Sequence, residues 1–331
     1  MLLHHAPSAR SVCAPASAAA HTAHAKAILL GEHSVVHGGP AIAFPVPALR
    51  ITASARQSPG PIRIQSDYYS GPLATVPRFM IPPAVALVRT LERIGAPRRD
   101  LTVSVEGAIP TGRGLGSSAA VAAAVSGAVA AAHGVELHPE LAFELVQTAE
   151  RAAHGTPSGI DARAVISDAP ILFSAGAVHA LDVALDAVLV IGDTGVPGGT
   201  RAAVARVAAR LQSEPRSVRS AFALIDAQTE AAVHDLATGR AEALGRRLTA
   251  AHEQLQLLGV SSDGLDALVE AALQAGALGA KLTGGGLGGC VMILSRPDQA
   301  DELAEALRRR GAVSTWLLHT NTGTSTRRAN R

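Results

Sequence analysis

The sequence predicts a mixed α+β fold, and three observations carry this. Short apolar runs bounded by glycine or polar turns recur in the first half, as in AKAILL, AIAF and LTVSVE. Helical periodicity fills much of the second half, over 201–212, 217–238, 241–258 and 263–275. The two kinds of segment do not alternate in a βαβ rhythm, which argues against a doubly wound parallel sheet. A length of 331 residues suggests two domains or one large one, and no internal repeat is evident.

Taken in order, residues 1–22 lack a continuous apolar stretch and read as a disordered leader, not a signal peptide. AKAILL reads as a strand, GEHSVVHGG as a turn with a short helix or strand, and AIAF as a second strand. Residues 51–65 alternate like a strand, 82–94 form an amphipathic helix, and 101–106 alternate strictly. An Ala-rich helix starts at Ser117 or Ser118, and a second helix runs over 139–153, with Pro139 in its first turn. HGTPSGID, residues 154–161, is a loop, and 170–173 and 187–191 are strands. DTGVPGGT, residues 193–200, is a turn joining the halves. After the helical region, 280–295 reads as a glycine loop feeding a strand, 298–310 as a helix and 313–319 as a last strand. The polar, basic tail from Thr320 reads as disordered.

Composition excludes several function classes. Hydrophobic residues make up 48% and charged residues 17%, which fits a globular chain with ample core. A formal charge of +2 and 2% aromatics argue against a nucleic-acid surface. No apolar run reaches membrane-spanning length. Two cysteines, Cys13 and Cys290, make no disulfide framework, so the cytoplasm is the default compartment. Of 29 basic residues only Lys26 and Lys281 are lysine. Arginine is this chain's general-purpose cation, so a lysine suggests a need for a compact charge.

The most informative stretch is IPTGRGLGSSAAVAAAVSGAVAAA, residues 109–132. Gly112, Gly114 and Gly116 allow backbone N–H groups to crowd a ligand, and the helix behind them offers free N–H groups and a favourable dipole for phosphate. A plain loop-to-helix turn is the alternative for this loop taken alone. The P-loop pattern fails because no lysine follows the glycines. The dinucleotide pattern at Gly284, Gly286 and Gly289 runs into a strand, VMIL, where a helix is required.

Three glycine-bearing segments stand in order: AHAKAILLGEHSVVHGG, PTGRGLGSSAA and KLTGGGLGGC. This set resembles the GHMP kinase superfamily over about Ala23 to Ser295. Two segments, LLGEHSVVHG and ERAAHGTPSGID, are similar to the mevalonate kinases within it. The resemblance implies a two-lobed fold. A lobe over 23–185, similar to domain 2 of ribosomal protein S5, would bind nucleotide. A ferredoxin-like lobe over 186–319 would close over the acceptor. It implies transfer of the ATP γ-phosphoryl group to the 5-hydroxyl of mevalonate, with Mg²⁺. Departures are His24-Ala25 where the family has Pro-Gly, Gly285 where it has alanine, and Leu287 where it has a small residue.

By this resemblance Asp161 is the general base and Lys26 its electrostatic partner. Gly112, Gly114, Leu115, Gly116, Ser117, Ser118 and Ala119 cradle the nucleotide phosphates. Ser118 and Glu150 hold Mg²⁺, although Ser118 as a helix cap and Glu150 as an exposed carboxylate are the plainer readings. His33, Glu32 and Thr200 face the substrate, with a merely structural hydrogen bond the alternative for His33, and Lys281 braces the nucleotide loop from the other lobe, with an ordinary surface charge the alternative. His33 and His37 are four apart, but the preceding Glu32 is misplaced for a zinc-protease motif. The expected partners are small molecules, with no nucleic acid and no membrane; a homodimer is compatible with the sequence. The competing readings are another kinase of the superfamily, such as a phosphomevalonate or homoserine kinase, and a non-catalytic relative. A degenerate relative should have lost Lys26, Glu150 or Asp161, and all three are present.

Overall fold

The computed structural model describes residues 18–154 and 157–320. The first half holds β1 (Ala19–Leu30), β2 (Ala41–Gln57), β3 (Arg63–Ser66), β4 (Tyr69–Pro72), helix α1 (Ile81–Arg93) and β5 (Leu101–Gly107). Helices α2 (Ser117–Ala131), α3 (Pro139–His154) and α4 (Ile160–Val165) follow, then β6 (Ile171–Ser174) and β7 (Ala177–Ala180). The second half holds β8 (Val188–Asp193), α5 (Thr200–Ser213), α6 (Pro215–Thr238), α7 (Ala241–Leu257) and α8 (Asp263–Gln274). It closes with β9 (Gly279–Thr283), β10 (Cys290–Ser295), α9 (Ala300–Arg309) and β11 (Ser314–His319).

The strands make two sheets. The first runs β4-β3-β5-β2-β6-β7, with β1 paired to β2. β2 is its spine: β1 lies antiparallel along one side, while β6 takes the first residues of the other side and β5 the last. The second sheet runs β11-β8-β10-β9, all antiparallel. Its βαββαβ order, with α5–α8 in one crossover and α9 in the other, is the ferredoxin-like arrangement expected of the second lobe.

Burial explains the sequence patterns. Helix α2 packs against β1, β2, α1 and α3 and is buried on nearly every face, so it carries small apolar residues all round. Residues 189 and 191 of β8 join the core that contains α2, whereas 188 and 190 join a second core under α5, α6, α8 and α9. With both faces covered, β8 and β10 read as unbroken apolar runs, not alternating ones.

Several expectations need correction. β1 begins at Ala19, inside the stretch expected to be a leader; Thr22 meets Thr52 of β2 there, Oγ1 to Oγ1 at 2.9 Å. These residues are mostly exposed, so apolar periodicity does not reveal them. AIAF and the start of the 51–65 segment are one strand. Of its prolines, Pro47 falls where the pairing slips, between His24 opposite Arg50 and Ala25 opposite Val46, and Pro45 stands just past the slip, opposite Lys26. This irregularity stands where the family has Pro-Gly. β9 is a strand, not part of a loop, and β4, β7 and α4 are short elements that the periodicity does not predict. Thr320, expected in the tail, donates its N–H to Ala187 O at 3.0 Å. The rest of that tail, residues 1–17 and Cys13 lie outside the described residues. Cys290 is buried, as expected. Among the described residues no helix is long and apolar enough to cross a membrane.

Candidate active site

Lys26, near the end of β1, is only 2% exposed. Its ammonium is 3.0 Å from Asp161 Oδ1 and donates to Gly114 O at 2.9 Å. Its backbone N–H donates to Leu115 O at 3.0 Å. One residue thus clamps the glycine loop and the first turn of α4 together. The loop is shaped for this: Gly116 has φ 72, and a Cβ there would fall 2.9 Å from Lys26 Cγ. Asp161 follows Gly159, whose φ of 97 turns the chain into α4. A buried ammonium needs a paired carboxylate and hydrogen-bond acceptors, and Lys26 has both.

Gly112, Gly114, Leu115 and Gly116 form the loop, and Ser117, Ser118 and Ala119 begin α2. The second lobe meets this loop backbone to backbone. A Cβ on Gly284 would fall 2.8 Å from Gly114 Cα, so no side chain fits between them. Gly198 N–H donates to Gly112 O at 2.7 Å. Arg113 Nε lies 2.9 Å from Asp193 Oδ1 at the end of β8, and its Nη2 donates to Gly195 O. Thr283 Oγ1 accepts Ile28 N–H at 3.0 Å and donates to Ile28 O at 2.9 Å. Arg113, Asp193 and Thr283 escaped the sequence reading because their partners are distant along the chain and fit no motif.

Helix α2 is capped by Gly116, so the Ser118 hydroxyl is not the cap. Ser118 Oγ is buried with no hydrogen-bond partner among the described residues. An unmatched oxygen beside helix N–H groups suits a cation-bound phosphate. Glu150 lies in α3, which packs on α2, and is 4% exposed, not the solvated carboxylate of the plainer reading. Among the described residues no group of three or more His, Cys, Asp or Glu is placed to hold a metal. Two oxygens, from Ser118 and Glu150, would suit Mg²⁺, which takes few protein oxygens together with phosphate and water.

Glu32 and His33 are buried, at 2% and 5% exposure. The Glu32 carboxylate accepts from Lys281 Nζ. Burial pushes the Glu32 carboxyl up and the Lys281 ammonium down, and each opposes the other's shift. His33 has φ 64, unusual outside glycine, and its Nε2–H donates to Gly285 O at 3.0 Å. Thr200 opens α5 across from it: a Cβ on Gly285 would fall 2.5 Å from Thr200 Oγ1, which accounts for glycine where the family has alanine. Leu287 adopts φ 57 and packs on the second lobe's core. Arg163, two residues after Asp161, is bidentate to Glu140 and stacked on Phe143.

Residues 83–168 match the family described as GHMP kinases N terminal domain, and residues 232–313 match GHMP kinases C terminal. The mevalonate kinase of Thermococcus gammatolerans is 36% identical over 88% of this chain and 93% of its own. That of Thermococcus sibiricus is 33% identical over the same shares. The chain belongs to the GHMP kinase family. Kinases of this family use ATP as phosphate donor, which suits the glycine loop and α2. The crystal structure of L. major mevalonate kinase in complex with R-mevalonate superposes with a TM-score of 0.79, over 94% of this chain and 99% of that one. At 24% identity, that likeness is one of fold.

The buried His33 makes a pH test. Desolvation lowers its pKa from 6.5 to about 4, against the opposing bond to Gly285. Between those values the unfolded chain binds the extra proton, so the residue's contribution is full above about pH 6.5 and is lost as pH falls toward 4. The shift is worth on the order of 3 kcal/mol. Replacing His33 by Gln should flatten the decline of the urea midpoint between pH 6.5 and 4.5. A variant that declines as steeply as the wild type would show that His33 does not titrate this way.

Proposed function

We propose that this chain transfers the γ-phosphoryl group of ATP to the 5-hydroxyl of (R)-mevalonate. The observation that carries the chemistry is Lys26, whose ammonium lies 3.0 Å from Asp161 and also donates to Gly114 O of the glycine loop. The acceptor follows from the relatives named mevalonate kinase and from the segments LLGEHSVVHG and ERAAHGTPSGID.

Asp161 is the general base. Its side chain is 35% exposed, open to a substrate on one side while Lys26 holds the other. As the acceptor oxygen bonds to the γ-phosphorus, Asp161 takes its proton. The bond from the γ-phosphorus to the β–γ bridging oxygen breaks, and ADP leaves with that electron pair. Lys26 offsets charge on Asp161 and on the acceptor oxygen without giving up a proton. The N–H groups of the loop and the first turn of α2 receive the phosphates. Ser118 and Glu150 would hold Mg²⁺, which when bound neutralises charge on the phosphate oxygens.

Removing the base tests the mechanism. Asp161→Asn should lower kcat by roughly 10²–10⁴ with little change in ATP affinity. Near-wild-type kcat in that variant would take Asp161 out of the role.

The acceptor is tested separately. The segments GEHSVVHGG, HGTPSGID and GVPGGT contain no Lys or Arg. Arg201, beside Thr200 in the sequence, donates to Ala153 O at the end of α3, and one such arginine would serve the single carboxylate of mevalonate. A phosphorylated acceptor would call for further cations. The expected kcat/KM for mevalonate therefore exceeds that for 5-phosphomevalonate by at least about 100-fold, roughly 2.7 kcal/mol. An ADP-release assay with mevalonate, 5-phosphomevalonate, homoserine and galactose at matched sub-saturating concentrations reads this directly. A preference for any acceptor other than mevalonate would overturn the acceptor assignment and leave the kinase chemistry standing.

A further inference from the structure

Lys281 is one of the chain's two lysines, and the transfer step above does not use it. It lies in β9 with 0% exposure. Its ammonium donates to the Glu32 carboxylate and, at 2.6 Å, to Leu282 O. His33, next to Glu32, is bonded to Gly285 O, and the Gly285 backbone lies against Thr200. A continuous set of contacts thus joins β9 to Glu32, His33 and Thr200. The nucleotide loop is held mainly by other contacts: Lys26, the Arg113–Asp193 pair and the Gly198 N–H.

We infer that Lys281 is a positioning residue for the acceptor: by pairing with Glu32 it fixes His33 where the acceptor is held. This differs from a brace on the nucleotide loop, and it rests on the reading that Glu32, His33 and Thr200 face the acceptor. The physical reason is the cost of a lone buried charge. Without Lys281, the Glu32 carboxylate would have to turn toward water or toward Lys26, which already acts on it. Either move drags the strained backbone at His33. The other titratable groups near the pair are His33 and His252, whose ring accepts the Leu282 N–H and pairs with Asp266.

The test is steady-state kinetics of Lys281→Met in the full chain, using the acceptor that the wild type prefers. If that acceptor is not mevalonate, the acceptor assignment has already failed in the wild-type panel, and the positioning test still reads on its own. The KM for the acceptor should rise at least about tenfold while the KM for ATP stays within about twofold. A purely structural role would lower the melting temperature and yield but leave both KM values of the folded enzyme unchanged. That result, or an equal rise in the KM for ATP, overturns the proposal. Hydrogen exchange on the wild type needs no variant. The acceptor alone should slow exchange at residues 31–36 and 279–286, and slowing confined to 112–119 would contradict the assignment.

Discussion

The structure depends on one buried cation. Lys26 has almost no contact with water, yet it must stay charged to be useful, so every surrounding element is arranged to receive it. Asp161 supplies the opposite charge, Gly114 a carbonyl, and Gly116 the absence of a Cβ along its stem. β1 cannot shift without pulling Lys26 off both partners, and the pairing of β1 with β2 on both sides of the slip at His24 and Ala25 prevents that. Removing either partner would leave a charge stranded in an apolar setting, which is the costly outcome in a protein interior.

The same constraint shapes the junction between the two sheets. The loop that Lys26 holds is also the surface on which the second lobe rests, and that contact is made of backbone on both sides. Gly114 against Gly284 is a spacing that a single methyl would break. Around it stand paired charges and a buried hydroxyl: Lys281 with Glu32, Arg113 with Asp193, and Thr283 with the Ile28 backbone. Directional bonds such as these fix a register that apolar packing alone would leave loose. Ser118 is the exception, a buried hydroxyl beside a helix N-terminus with no partner among the described residues, where a ligand's charge is expected.

The parts legible in the sequence were those fixed by local chemistry. The unbroken apolar runs of β8 and β10 reflect burial on two faces, and the glycine loop before an Ala-rich segment marks α2. The scarcity of lysine pointed to Lys26 and Lys281, and both proved buried and paired. What stayed hidden was set by distance along the chain or by context. The Arg113–Asp193 pair spans 80 residues and the Thr283–Ile28 bond 255. The first residues of β1 are polar because they are exposed, and β9 is short and runs straight into glycines, so neither carries a strand's usual signature.

The central claim is that Lys26 works as a slim, buried point charge that an equal charge on another side chain cannot replace. Lys26→Arg tests it most directly, because arginine is the cation this chain uses nearly everywhere else. The planar guanidinium is bulkier than the stem that passes Gly116 and cannot reach Asp161 along the same path. In folded Lys26→Arg enzyme, kcat should fall at least about 100-fold, the scale expected when a reacting group is displaced by about an ångström. An arginine enzyme that folds and retains kcat within about threefold of wild type would contradict the account, since a diffuse positive charge would then be enough.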